Sequence, residues 1–316
     1  MMVSGTAMLH ITEQQVLESL PMRECIGRMR ECFAALGRGE ALNVPRRRLF
    51  LPTGTVMHQM AGAWGRYLGT KIYTTNVKQG AMYFHILLYD AASAAPLALI
   101  EANHLGQMRT GAATGAATEL LAPKAVDKVA LIGTGFQAWT QLEAVLAVCK
   151  VRQTCVYSRR PESRQDFAAR ASRHFDANVT AADSAEQCVR DAQIVVTATY
   201  AKDPVLEDAW VAADAHVNAA GSNQGNRREL PGELIRRAAL IAVDSREQAR
   251  TEAGDLLLAV PEAEWGSLPL TELGTLAADS RFSRPAGISV FESLGLGVQD
   301  VAAAALAYEK LAGQAV

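Results

Sequence analysis

The sequence predicts an α/β protein whose second half is a doubly wound parallel sheet, and three observations carry that reading. From residue 126 onward, short apolar runs alternate with helical patterns. The first run, at 128–132, meets Gly133 and Gly135 at once, and a helical pattern opens at Gln137. The first hundred residues instead hold β-rich runs parted by short turns, which reads as an antiparallel sheet with a leading helix. Strand, helix and strand in succession imply right-handed crossovers between parallel neighbours. Strands that are apolar throughout suit a sheet covered on both faces.

Taken in order, residues 12–37 read as helix. Thr12 can cap it, Pro21 interrupts it, and Met22, Ile26, Met29, Cys32, Phe33 and Leu36 recur on one face until Gly37. Residues 47–60 and 67–77 read as strands, with turns at 52–54 and 61–62, and 83–89 with 96–100 as a hairpin. Residues 103–121 are rich in Gly, Ala and Thr around a single cation, Arg109, which suits a helix lying close on a neighbour. That arginine and the short apolar length exclude a membrane-helix pairing motif. Residues 122–124 read as a linker. Beyond it, strands are expected at 128–133, 153–158, 194–199, 216–220 and 239–244, with helices at 137–149, 162–174 and 183–191. A polar helical segment at 245–257 and a loop-rich stretch lead to a strand at 288–291. A last helix at 297–311, with Val298, Val301, Ala302, Ala305 and Tyr308 on one face, is expected to return to the N-terminal domain.

At 316 residues the chain can hold two domains. A net charge of -2 leaves no basic excess and argues against nucleic acid. The first six residues lack a basic, apolar leader pattern, and no run is apolar enough for a membrane span. The five cysteines (25, 32, 149, 155, 188) are never spaced as C-x-x-C, so they read as buried thiols and neither a disulfide frame nor a metal site. A cytoplasmic protein is expected.

The turn Gly133-Thr134-Gly135-Phe136-Gln137-Ala138 carries the first functional reading. Glycine pairs also serve as plain turns, but strand, glycine turn and helix start is the context in which G-x-G-x-x-G/A binds a dinucleotide. Gly133 makes the turn, Gly135 admits a pyrophosphate, and the N–H groups of the helix start hold its charge. After the second strand stands Ser158-Arg159-Arg160, where a NAD-binding chain usually carries an acid for the ribose 2′-hydroxyl. A hydroxyl and two guanidiniums suit a 2′-phosphate, so NADP(H) is expected, with NAD(H) as the alternative. A merely solvated basic turn before Pro161 and Glu162 is the competing reading.

Three cations stand out in the first half: Arg47 within the run 45–48, Lys71 on a strand, and Arg109. Set among small and β-branched residues, such cations call for an anion, and the arginine forks fit a carboxylate. The alternative is that each pairs with an internal Asp or Glu, or extends to solvent. His85 is a candidate proton donor, against the plainer reading of a satisfied hairpin histidine; His58 carries less weight.

Lys71 in G-x-K, Arg109-Thr110-Gly-Ala, the 133–138 turn, Val217-Asn-Ala-Ala-Gly221-Ser222, Val243-Asp-Ser-Arg-Glu-Gln-Ala and Phe291-Glu-Ser293-Leu-Gly295 together resemble the ornithine cyclodeaminase/μ-crystallin family. The resemblance spans about 45–300. It implies a Rossmann nicotinamide domain, 122–289, inserted into an α+β substrate and dimerisation domain made of 1–121 and 290–316. It implies a homodimer in which Arg47, Lys71 and Arg109 hold a small substrate's carboxylate beside the nicotinamide. Cofactor contacts are implied at Thr110, Gly133, Thr134, Gly135, Phe136, Gln137, Ser158, Arg159, Arg160, Thr197, Ala198, Thr199, Gly221, Ser222, Ser293 and Gly295.

Two departures bear on the reaction. Cyclodeaminases carry an aspartate in the loop where this chain has Asn223, which hydrogen-bonds but is no base. Met82-Tyr83-Phe84-His85 is bulkier than the family's polar pattern. The expectation is therefore an NAD(P)H-dependent oxidoreductase acting on the C=N or C–N bond of an imino or amino acid. Lys71, His85 and Asn223 form its candidate catalytic set. The alternatives are an ornithine or lysine cyclodeaminase and a non-catalytic, NADP-dependent ligand binder.

Overall fold

A computed structural model describes residues 8–313; the N-terminal stretch from which no leader is expected lies outside them. The chain forms two compact units, one running to Arg109 and resuming at Leu296, the other Thr110–Gly295.

The first unit is built on a six-stranded sheet. Its strands are β1 (Leu9–Ile11), β2 (Ala41–Phe50), β3 (Val56–Trp64), β4 (Tyr67–Asn76), β5 (Ala81–Asp90) and β6 (Pro96–Glu101), in the order β1-β6-β5-β4-β3-β2. β2 to β6 are antiparallel as expected; β1, three residues long and too short to show a period, runs parallel to β6. β2 begins at Ala41, well before the expected 47. Pro45 argues against a strand in sequence, yet β2 is an edge strand, and its ladder slips between Val44 and Arg47, where the missing N–H is tolerated. The leading helix is two helices, Glu13–Ser19 and Met22–Gly37, parted at Pro21; Thr12 and Gln15 close a capping box on the first.

The helix Gly297–Ala312 lies on β3 and β4 of this unit. Two facing glycines make that approach possible. Gly62 and Gly69 are cross-strand partners, and a Cβ would sit 2.5 Å from the Val298 Cα at the first and 3.0 Å from the Val301 side chain at the second. Helix and sheet therefore meet at backbone distance, and the start of the helix, residues 297–300, is held against the sheet.

The second unit is an eight-stranded sheet, parallel throughout. Its strands are β7 (Lys128–Ile132), β8 (Gln153–Tyr157), β9 (Val179–Ala181), β10 (Ile194–Thr197), β11 (His216–Ala219), β12 (Leu240–Val243), β13 (Leu270–Glu272) and β14 (Ser289–Glu292). The order is β13-β12-β14-β11-β10-β7-β8-β9. Succession runs outward from β7 through β8 and β9, then restarts on its other side with β10, so the crevice between β7 and β10 is a topological switch point. Separate apolar cores cover the two faces. The late strand β14 inserts between β11 and β12 and so belongs to this unit, where the sequence reading gave residues from 290 to the other.

The helix Asn103–Leu121 explains the second boundary difference. The Asn218 side-chain amide donates to Thr118 Oγ1 at 3.1 Å and the Ser289 hydroxyl to the Leu121 carbonyl at 2.7 Å, so the helix's later turns are tied to the parallel sheet. The units therefore part at Arg109/Thr110, inside a helix, and not at the expected loop at 121/122.

Candidate active site

In the first unit, strand alternation decides what faces what. Lys71 is paired with Met60 and Ile86, and two residues along, Tyr73 is paired with His58 and Phe84; all six share the face toward the closing helix. The Lys71 ammonium donates to Asp300 Oδ1 at 2.9 Å, and the Arg109 Nε donates to the same oxygen at 2.9 Å. Arg109 Nη1 also reaches Gln299 Oε1 at 3.3 Å. All three charged groups are buried, Lys71 to 3% exposure. The ammonium stands 5.4 Å from the Tyr73 ring centre and 5.3 Å from that of Phe84, so the wall beside it is aromatic.

Two cations on one carboxylate leave an excess positive charge in a buried place. Asp300 sits in the first turn of its helix, where the dipole favours an anion. Burial pushes its carboxyl up, but Arg109 and Lys71 outweigh burial and hold it below the ordinary aspartate value. Lys71 answers the opposite way: burial lowers it to about 8, assisted by Arg109 and Arg46 and opposed by Asp300. The group can therefore attract a monoanion and release a proton near neutral pH. Internal pairing, the competing reading of these cations, thus holds for both Lys71 and Arg109, although a single acid serves the two.

Two sequence expectations change. Arg47 is exposed, because the slip in the β2 ladder turns its neighbour inward instead: Arg46 is 8% exposed and bears electrostatically on Lys71. His85 pairs with Ile72, one place off the Lys71 row, so it faces the opposite side of the sheet and is exposed. The histidine on the Lys71 face is His58, stacked on Tyr73 at 4.1 Å between ring centres. Burial, then Arg48, Arg46 and Lys71, lower it to about 4, which leaves it neutral at physiological pH.

In the second unit, Gly133 ends β7 at the switch point with φ +115°, and a Cβ there would lie 2.4 Å from the Ala198 carbonyl at the end of β10. Only glycine fits. Gly135 is the N-cap of the helix Phe136–Val148, makes no side-chain cap and would leave even a Cβ in open space, so the positive end of the helix dipole faces an uncrowded turn. The Thr134 hydroxyl donates to Ser158 Oγ at 3.1 Å, linking this turn to the end of β8, where Arg159 and Arg160 are exposed. Thr197 closes β10, and Ala198 and Thr199 follow it. Gly221, Ser222 and Asn223 follow β11, and Ser293 and Gly295 follow β14. These stand at the carboxyl ends of parallel strands, where open α/β sheets bind ligands. Phe136 and Gln137 lie in the first turn of the glycine-capped helix, and Thr110 is buried in the helix Asn103–Leu121.

Residues 6–315 match the ornithine cyclodeaminase/mu-crystallin family. The chain belongs to that family. It is 33% identical over 224 residues to the ketimine reductase mu-crystallin of Mus musculus, covering 71% of this chain and 68% of that one. It is 35% identical over 251 residues to a Delta(1)-pyrroline-2-carboxylate reductase of Bacillus cereus, covering 77% of each. Among solved structures, the Thermococcus litoralis Delta(1)-pyrroline-2-carboxylate reductase in complex with NADH and L-proline superposes with a TM-score of 0.91 at 30% identity, covering 98% and 99% of the two chains.

Asp300 and Arg46 were not singled out from sequence, though one signal for Asp300 exists. In the run 297–307 the only polar side chains are Gln299 and Asp300. A helix start that is apolar nearly all round buries whatever acid it carries, and a buried acid needs cations.

Proposed function

We propose that this family member is an NAD(P)H-dependent oxidoreductase that reduces a C=N bond beside a carboxylate, or oxidises the matching amino acid. The observation that carries the reading is the Lys71–Asp300–Arg109 group, with its surplus positive charge and a lysine able to titrate near neutrality. Arg109 and Lys71 draw in the substrate carboxylate, with Arg46 in the place expected for Arg47, and Lys71 gives the imine nitrogen its proton. The glycine turn at 133–135 supports a dinucleotide pyrophosphate: Gly133 turns where any side chain would clash with Ala198, and Gly135 opens the next helix with no side-chain cap and room beside it. A bound dihydronicotinamide supplies the hydride. Reductive activity is tested by loss of NADPH absorbance with Delta(1)-pyrroline-2-carboxylate; ammonia release from ornithine without net cofactor change would overturn it in favour of cyclodeamination. Because His85 faces away from Lys71, His85→Ala is expected to keep kcat within about twofold, against the hundredfold or more that loss of a proton donor brings.

We further propose NADP(H) as the preferred cofactor. Ser158, Arg159 and Arg160 stand with no carboxylate among them at the end of β8, and both arginines are exposed to meet a phosphate. Arg159→Ala is expected to weaken NADPH by about tenfold, or about 1.4 kcal/mol, with NADH nearly unaffected. Parallel titrations check this, and equal losses would remove the reason for preferring NADP(H).

The protein is also proposed to be a homodimer. The outer face of the first unit's sheet exposes Leu42, Val44, Leu49, Leu68 and Tyr83, an apolar surface of the kind a second copy covers. Sedimentation as a monomer at micromolar concentration would contradict this. Its cysteines are all free, four of them buried, which fits a reducing compartment such as the cytoplasm; imaging of the tagged full chain checks the location.

A further inference from the structure

Among the polar groups buried at the carboxyl ends of the second unit's strands, Glu229 has the most demanding set of partners. Its Oε1 accepts the backbone N–H and the hydroxyl of Thr199, each at 2.6 Å. Its Oε2 accepts the Thr197 hydroxyl and the Gly221 backbone N–H, each at 2.9 Å. One carboxyl thus joins the loop after β10 to the loop after β11. Gly221 leaves it no slack, since a Cβ there would lie 2.5 Å from the Glu229 carboxyl carbon and 2.3 Å from the Thr199 carbonyl. Glu229 is itself held: its own N–H and that of Leu230 donate to Asp255 Oδ1 at 2.7 and 2.6 Å.

We propose that Glu229 is a positioning residue for the dinucleotide, fixing the loops at Thr199 and Gly221 in the shape that receives it without touching it. This rests on the cofactor reading given above and adds the residue that builds its binding loops. Each carboxyl oxygen takes one backbone N–H and one hydroxyl. A threonine hydroxyl can turn and accept instead, but a backbone N–H cannot. A carboxyl keeps a lone pair for both N–H groups whether ionised or protonated. This matters because burial and the nearby Asp255 raise Glu229 to about 7. A carboxamide of the same size sets an –NH2 against the N–H of either Thr199 or Gly221, whichever way it turns.

The test uses full-length Glu229→Gln and Gly221→Ala beside wild type, in NADPH and NADH titrations and in steady-state kinetics with Delta(1)-pyrroline-2-carboxylate. Both variants are expected to raise the dinucleotide Kd by about tenfold or more. The KM for the imino acid, whose carboxylate depends on the first unit's cations, stays within about twofold. A folded variant with wild-type cofactor affinity overturns the proposal, and so does an equal rise in both constants, which would mean general disruption. If Glu229→Gln does not fold, Glu229→Asp takes its place under the same outcomes, since it keeps a carboxyl that is too short to reach both Thr199 and Gly221. Wild-type protein that binds neither dinucleotide would instead sink the cofactor reading, and this inference with it.

Discussion

Lys71→Met is expected to lower kcat/KM for imine reduction by about a thousandfold, while leaving dinucleotide affinity as it was. The substitution removes the candidate proton donor and also the excess charge, because Arg109 and Asp300 remain as a neutral pair. For that same reason the variant is expected to fold. Lys71→Arg separates the two contributions: it keeps a cation for the substrate carboxylate but cannot give up a proton at any working pH. The pH profile supplies an independent reading. Burial first, then the charges of Arg109 and Arg46 against Asp300, bring Lys71 down to about 8. Reduction needs the protonated ammonium, so it should be level below about pH 8 and fall about tenfold per unit above it; amino-acid oxidation, which needs the free amine, should rise toward about pH 8 and level off above it. Lys71→Arg should lack that inflection. A methionine variant keeping a tenth of wild-type activity would show that the proton comes from elsewhere.

Asp300→Asn is expected to produce the largest loss of stability. It leaves two buried cations without their shared acid, and removing one partner of a buried pair typically costs about 3–5 kcal/mol. The two cations can respond differently. Lys71, already lowered, can escape by giving up its proton, whereas Arg109 cannot. The cost therefore falls mainly on Arg109, and a value near the lower end, about 3 kcal/mol, is expected from urea unfolding. In whatever fraction folds, loss of the Asp300 charge should move the alkaline limit of reduction below pH 8, because that charge supports the protonated lysine. Unchanged stability together with an unmoved pH profile would mean that Asp300 does not hold the pair.

The nucleotide-binding unit was readable in the chain because its signals are local. An apolar strand, two glycines and an amphipathic helix lie within about twenty consecutive residues, and the same alternation repeats through β8, β10, β11 and β12. Strands of three residues, β1, β9 and β13, are shorter than any period and went unread. The insertion of β14 between β11 and β12 is a matter of topology, which no local pattern encodes.

The charged group is of another kind. Lys71 and Arg109 could be suspected from their small and β-branched surroundings, but Asp300, 229 and 191 positions away from them in the chain, could not be matched to them. That Arg46 and Arg48 rather than Arg47, and His58 rather than His85, stand on the lysine's side follows from a slipped ladder and a cross-strand register. A strand's side chains alternate, so one residue of register carries a group from one face to the other. Residue types and local periods, and with them the parallel-sheet fold and the candidate cations, were written in the order of amino acids. The partner of those cations, and the side each neighbour faces, came from distant segments brought together, where backbone pairing and the close approach of a helix over two glycines set the distances.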